Sequence, residues 1–237
     1  LLQAGFDGYY GSFFNLKDWN ADEFIEHVRF NQKLLNSYRE PKSVILSFTT
    51  HDEVSPVLLH GEDFSIMISW LNATLPFNPY CIDGFMTGDT NIYPWANTKA
   101  EMTETDDDYY FVHRGKLDLF NFSRKPGGNN DKILENFKRA YKFRQDNIDL
   151  ITKGNFTQLK TDNDRVFAFT RTLKGVSIIV IGNLDFKNPQ NKICIKDCGI
   201  NKKSNIEIIT GGENIKQVRR HLHTDMNPGE IKIIRIK

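Results

Sequence analysis

The stretch Ser43-Val44-Ile45-Leu46-Ser47-Phe48, continued by Thr49-Thr50-His51-Asp52-Glu53, decides how the chain is read. Its first half is a short, continuous apolar run. Such a run predicts a strand buried on both faces, as in a parallel sheet. Its second half is an abrupt polar cluster at the strand's C-terminal end. In parallel α/β folds that edge is where ligands bind. A histidine beside two acids supplies donors and acceptors suited to polyhydroxylated ligands or to acid/base work. The same residues also suit the start of a helix, because Thr, Asp and Glu favour a first turn.

Outward from this stretch, the flanking sequence alternates between helix and strand. Residues 20–38 predict a helix. Asn20 is placed as its N-cap, with Glu23 three residues on as a capping box, and Phe24, Ile25, Val28 and Leu35 recur on one face. Pro41 ends it. A second helix is predicted across Phe64 to Asn72, followed by an apolar segment from Phe77 to Phe85 that Pro79 interrupts. Residues 86–130 are turn-rich, and a connection of that length inside a compact protein is usually functional or a lid. A third helix is predicted from about Asp131 to Gln145, capped by Asn130, with Ile133, Leu134, Phe137 and Tyr141 along one face.

After Asn147 the texture changes. Val166–Arg171, Val176–Ile181, Ile193–Ile195, Ile206–Ile209 and Ile231–Ile236 read as strands, with Lys174-Gly175 a tight hairpin turn between the first two. The first part is therefore expected to be α/β and the second a small antiparallel β domain, with the division near residue 150.

Composition bounds the function. Across 237 residues there are 31 Lys and Arg against 30 Asp and Glu, a net charge of +1. Binding to nucleic acid by phosphate neutralisation would need a basic chain, so no nucleic-acid partner is expected. The aromatic content of 12% argues against a disordered tail. No run of about 18 apolar residues occurs, so no membrane partner is expected either. Three cysteines are too few for a disulfide framework. Cys194 and Cys198 lie four apart without a second pair, which is a weak zinc pattern, so they read as reduced structural thiols and no metal site is expected.

The order of motifs resembles the later portion of an alpha-amylase-family glycoside hydrolase. Phe48-Thr49-Thr50-His51-Asp52 matches the aromatic-x-Asn-His-Asp motif that ends that family's seventh strand, with Thr50 in place of the usual Asn. Gly5-Phe6-Asp7-Gly8-Tyr9-Tyr10-Gly11-Ser12-Phe13-Phe14-Asn15-Leu16 looks like its sixth strand and exit. Leu75-Pro76-Phe77-Asn78-Pro79-Tyr80-Cys81-Ile82-Asp83-Gly84-Phe85, followed by Gly88-Asp89, looks like its eighth. The stretch from Gly154 to Leu184 resembles the opening of its C-terminal β domain.

The resemblance implies the C-terminal part of a (β/α)8 TIM barrel, strands six to eight over residues 1–149, then an antiparallel β-sandwich domain over 150–237. It implies a retaining mechanism on α-glucosidic bonds, by hydrolysis or transglycosylation, with an alpha-glucan or maltooligosaccharide substrate and no cofactor. Asp52 would be the transition-state stabiliser and His51 a substrate-binding residue. The family's nucleophilic Asp and acid Glu follow strands four and five, so the missing N-terminal part of the same enzyme is expected as a partner. The alternative is a non-catalytic carbohydrate-binding or structural relative. The first residue, Leu1, is not Met and reads as the inside of an element, which fits a piece of a longer protein. No charged leader before an apolar stretch is visible, so the location stays open, with the cytoplasm favoured.

Other candidates carry structural readings. Glu53 reads as a loop or helix-start residue, Trp70 as core, and His60, His113, His221 and His223 as surface or satisfied structural histidines. Tyr93, Trp95, Tyr109 and Tyr110 could stack on sugars or anchor their loop. Asp106-Asp107-Asp108 reads as a solvated turn. The glycosylation patterns at Asn72, Asn121 and Asn155 carry weight only in a secreted chain.

Overall fold

The computed structural model describes residues 2–49, 55–82, 84–90, 130–200, 204–212 and 214–236. It opens with β1 (Gly8–Ser12), helix α1 (Ala21–Asn36), β2 (Ser43–Ser47), helix α2 (Pro56–Thr74) and the two-residue β3 (Asn78–Pro79). These strands form a parallel sheet in the order β1-β2-β3. Helices α3 (Asp131–Asp146) and α4 (Ile148–Lys153) follow, and then eight strands. These are β4 (Asn155–Leu159), β5 (Val166–Leu173), β6 (Val176–Asn183), β7 (Gln190–Ile195), β8 (Ile206–Thr210), β9 (Lys216–Val218), β10 (His221–Met226) and β11 (Ile231–Ile236). They make two antiparallel sheets, of order β4-β5-β6-β11-β8 and β7-β10-β9.

Local chemistry sets the element ends. The Asn20 side chain accepts from the Glu23 amide at 2.9 Å, and Glu23 accepts from the Asn20 amide at 2.7 Å, so the expected capping box is formed. Asn130 caps α3 by accepting from Ile133 N at 3.0 Å. Lys174 and Gly175 both have positive φ, +49° and +83°, the signature of a two-residue hairpin turn that follows the strand twist. The second helix is longer than predicted. It begins at Pro56, a residue suited to a first turn, and bends at His60 and Gly61, where φ at Gly61 is +79°.

The strand predicted to be buried on both faces is covered on one. Val44 and Leu46 are buried towards the helices, but Ile45 is 38% exposed and its neighbour Tyr10, on β1, 41% exposed. Side chains alternate across a strand, and α1 and α2 cover only one side of three strands. Continuous apolar sequence marked the strand correctly but not its coverage.

From Phe64 to Thr74, α2 is buried all round. Two of its buried hydroxyls bond back to the helix, Ser69 donating to Ser65 O and Thr74 to Trp70 O. Trp70 is core, as expected, with its indole donating to Asn136 at 3.2 Å. Asn72 is also fully buried, which excludes it as a glycosylation site in the folded chain.

One core runs from α1 and α2 into the five-stranded sheet. Phe24 of α1 meets Phe167 of β5 with ring centroids 4.5 Å apart, and Phe169 and Phe156 continue the row. The Phe167 ring lies over Gly182, where a Cβ would stand 2.2 Å from the ring. A second core, with Val166, Ala168, Ile179, Ile181, Ile193, Ile195, Leu222 and Ile234, fills the space between the two antiparallel sheets. The layers are thus helices, five-stranded sheet, three-stranded sheet.

The turn after α2 is fixed by Arg144 of α3. This buried guanidinium donates to the carbonyls of Asn72, Leu75 and Phe77 at 3.1, 2.9 and 2.7 Å. It thereby satisfies carbonyls that the end of a helix leaves unpaired. Burial pushes its pKa down, against the effect of Tyr141. Replacing Arg144 with Met keeps the apolar stem but orphans these acceptors. Arg144→Met is expected to lower the stability of the chain by about 3 kcal/mol, read from urea unfolding.

Candidate functional site

The C-terminal ends of β1, β2 and β3 lie on one edge of the parallel sheet, the edge where α/β folds bind ligands. Backbone bonds hold the exits together. Phe13 N donates to Ser47 O at 2.8 Å, and Tyr80 N to Leu46 O at 3.1 Å. Beneath the edge, Phe13 packs against Phe48 and Phe77, with centroids 5.4 and 6.1 Å apart. This aromatic floor packs under the described strand ends.

On the uncovered face, polar groups form a short chain. The Tyr10 hydroxyl donates to Ser47 Oγ at 2.6 Å, and Ser47 Oγ donates to the Thr49 carbonyl at 2.9 Å. Tyr10 is also flanked by Phe14 and, edge-on, by Tyr80. The chain therefore orients the backbone of Thr49, the residue that leads into Thr50-His51-Asp52. Sequence reading singled out neither Tyr10 nor Ser47. The signal available was their position on adjacent strands, visible only once the register Ser12 to Ser47 is known.

His51 and Asp52, the predicted binding and stabilising residues, lie outside the described residues, as does Glu53. The same holds for Tyr93, Trp95, Asp106–Asp108, Tyr109, Tyr110, His113 and Asn121. What the structure describes is the frame on either side of 50–54. Buried Thr49 ends the approach from β2, and buried Ser55 begins α2.

The remaining candidates are dispersed. His60 stacks on Phe186 at 4.5 Å, beside the β-rich part. His221 and His223 lie on β10. Cys194 Sγ is 3.8 Å from His223 Nε2, while Cys198 faces the opposite side, into the inter-sheet core, where burial pushes its thiol up to about 11. All three cysteines are free thiols. Among the described residues no three His, Cys, Asp or Glu side chains come together as a metal site, and no helix is long and apolar enough to cross a membrane.

His27 of α1 was not singled out from the sequence. It packs against Phe13 at 4.5 Å and Trp19 at 4.8 Å, under the strand ends. Burial lowers its pKa, partly opposed by a backbone hydrogen bond at Ser12.

No family model matches the chain, and no curated protein matches it. Solved structures do. A maltogenic alpha-amylase, AmyB, from Thermotoga neapolitana superposes with a TM-score of 0.68 at 14% identity, over 99% of this chain and 51% of that one. Isomaltulose synthase from Klebsiella sp. LX3 gives 0.61 at 14% identity, over 98% and 51%. Trehalose-6-phosphate hydrolase from Bacillus licheniformis gives 0.59 at 15% identity, over 97% and 51%. The chain shares the fold of alpha-amylase-family enzymes. It spans about half the length of these structures. At such low identity the likeness speaks for the fold, and the site must be argued from this chain's own residues.

A depressed histidine pKa has a defined consequence. The unfolded chain takes up the His27 proton near pH 6.5 and the folded chain only at lower pH, so this contribution to stability is full above about 6.5 and lost as pH falls below it. In an NMR titration the His27 imidazole is expected to have its midpoint below the ordinary histidine value. His27→Phe is expected to flatten the loss of stability between pH 7 and 5.

Proposed function

We propose that the chain is the C-terminal portion of an alpha-amylase-family enzyme acting on α-glucosidic bonds of alpha-glucans. Residues 1–149 supply strands six to eight of the (β/α)8 barrel with their helices, and residues 150–237 the C-terminal β domain. The observation that carries the reading is the junction of two facts. Phe48-Thr49-Thr50-His51-Asp52 directly continues β2, the central strand of the parallel sheet, at its ligand-binding edge. The chain also superposes on about half of enzymes of this fold.

In this reading the reaction is retaining. A carboxylate attacks the anomeric carbon, a carboxylic acid protonates the leaving oxygen, and a covalent glycosyl-enzyme forms and is resolved by water or a sugar acceptor. The upstream half of the barrel provides both of those acids. Asp52 accepts hydrogen bonds from hydroxyls of the sugar at the cleavage point, more strongly as the ring flattens towards an oxocarbenium ion. A contact that tightens only there raises turnover instead of merely tightening binding. His51 contacts hydroxyls of the same sugar. The Tyr10–Ser47–Thr49 chain steadies the approach to both. The alternative, a non-catalytic carbohydrate-binding or structural relative, draws on the half-length match alone.

The test uses a chromogenic maltooligosaccharide. The 237-residue chain alone is expected to give no turnover. Joined to an upstream barrel half that carries an Asp and a Glu at the ends of strands four and five, it is expected to turn over. In that joined enzyme Asp52→Asn is expected to lower kcat by about 10²–10³ with a smaller change in KM. Turnover by the chain alone, or full activity of Asp52→Asn, sinks the proposal. Sugar binding by the joined protein without turnover favours the non-catalytic reading.

A further inference from the structure

The cations of this protein are not spread evenly. Between residues 187 and 223 there are eight Lys and Arg against three Asp and Glu, in a chain whose total charge is +1. The structure gathers five of them around one surface. In the sheet β7-β10-β9, Ile193, Ile195, Leu222, Thr224 and Met226 point inward and are buried. Strand alternation therefore turns Lys192, Cys194, His221 and His223 outward. Lys216 sits opposite His223 on β9, and Val218 opposite His221. Lys196 follows directly after β7. Arg219 and Arg220 form the two-residue turn joining β9 to β10.

Two contrasts set this surface apart. First, Lys192, Lys196, Lys216, Arg219 and Arg220 are all exposed, and none forms an ion pair with a described carboxylate. The lysines of α3 and α4 do, as in Lys138–Glu135, Lys142–Asp146, Lys153–Asp149 and Lys132 with Glu62 and Asp63. Second, the described acids beside this surface are fewer, and two of them accept from backbone amides. Asp225 accepts from Lys192 N at 2.7 Å, and Asp162 from Cys194 N at 2.9 Å. Asp197 donates its own amide to His221 at 3.2 Å. Five cations are thus gathered on this sheet and its turn against three nearby described carboxylates, with none of the five in an ion pair with them. Like charges gathered this closely repel one another, and an anionic ligand relieves that repulsion.

We propose that the outer face of the β7-β10-β9 sheet, with its Arg219-Arg220 turn, docks an anionic polysaccharide through Lys192, Lys196, Lys216, Arg219 and Arg220. The face is a three-stranded ladder, with Cys194, His223 and Lys216 side by side across it. Among the described residues its one large exposed apolar side chain is Val218, at 50% exposure, with no aromatic or leucine wedge of the kind that anchors proteins in lipid. The five-stranded sheet separates it from the parallel strands. Occupancy of this face is therefore independent of the chemistry proposed at the strand ends.

Heparin, a sulfated polysaccharide, is the probe. The 237-residue protein is expected to bind it in a fluorescence titration, with affinity falling steeply as salt rises. Combined Lys216→Gln, Arg219→Gln and Arg220→Gln should weaken that affinity about tenfold or more, since each cation contributes its own counterion release. A control with the same charge loss elsewhere, Lys138→Gln, Lys142→Gln and Lys153→Gln, should stay within about twofold of the parent. Circular dichroism confirms that both variants fold. The proposal is overturned if the parent does not bind, or if the two variants lose affinity equally. Tighter binding to phosphatidylserine vesicles or to polyglutamate also overturns it, in favour of a lipid or an acidic protein.

Discussion

The Phe167 ring reaches over Gly182 and meets Phe24 across the gap between β5 and α1. Much else follows from this contact. A side chain at residue 182 would fill the space the ring occupies, so the glycine lets an aromatic cross its own sheet and reach a helix. The row continues through Phe169 to Phe156, and the helices and the five-stranded sheet close over one core. Backbone and side-chain bonds reinforce the junction. Ala21 N donates to Asp164 O at 2.8 Å, Gln158 to Asp22 at 2.9 Å, and Arg235 to Asn147 at 3.0 Å. Parts that differ in sequence texture are therefore packed as one body, because apolar surface on both sides is removed from water together.

The same packing explains the asymmetry of the parallel sheet. Helices α1 and α2 are drawn to the side that also meets the antiparallel sheet. Tyr10 and Ile45 are left on the other side, 41% and 38% exposed. On that open side the Tyr10–Ser47–Thr49 chain orders the backbone at the C-terminal edge of the parallel sheet. A hydroxyl relay is economical there, because a buried Ser47 would otherwise keep an unsatisfied oxygen.

Much of this was legible in the sequence. The capping box at Asn20 and Glu23, the cap at Asn130 and the Lys174-Gly175 turn depend on neighbours three residues apart or fewer, and each is present in the fold. The strands Val166–Leu173, Val176–Asn183 and Ile231–Ile236 were marked by β-branched runs. Asn155–Leu159, Lys216–Val218 and His221–Met226 were not marked, because their outward positions are polar or charged and their apolar positions too few to form a run. The first turns of α2 were missed because Gly61 breaks the helical period there.

Sequence by itself determined much of the local grammar: most of the helices and the strands with apolar runs, where two of the helices are capped, and that a polar His-Asp cluster follows an apolar strand. It also carried the family resemblance, which rests on the order of motifs along the chain. Tertiary structure alone decided which face of β2 is covered, that Arg144 closes the turn after α2, that Tyr10 reaches Ser47, and that five cations from two strands and their connections share one surface. The physical reason is range. Capping and periodicity act between residues a few positions apart, whereas coverage, buried charge and surface potential depend on strands and helices brought together from distant parts of the chain.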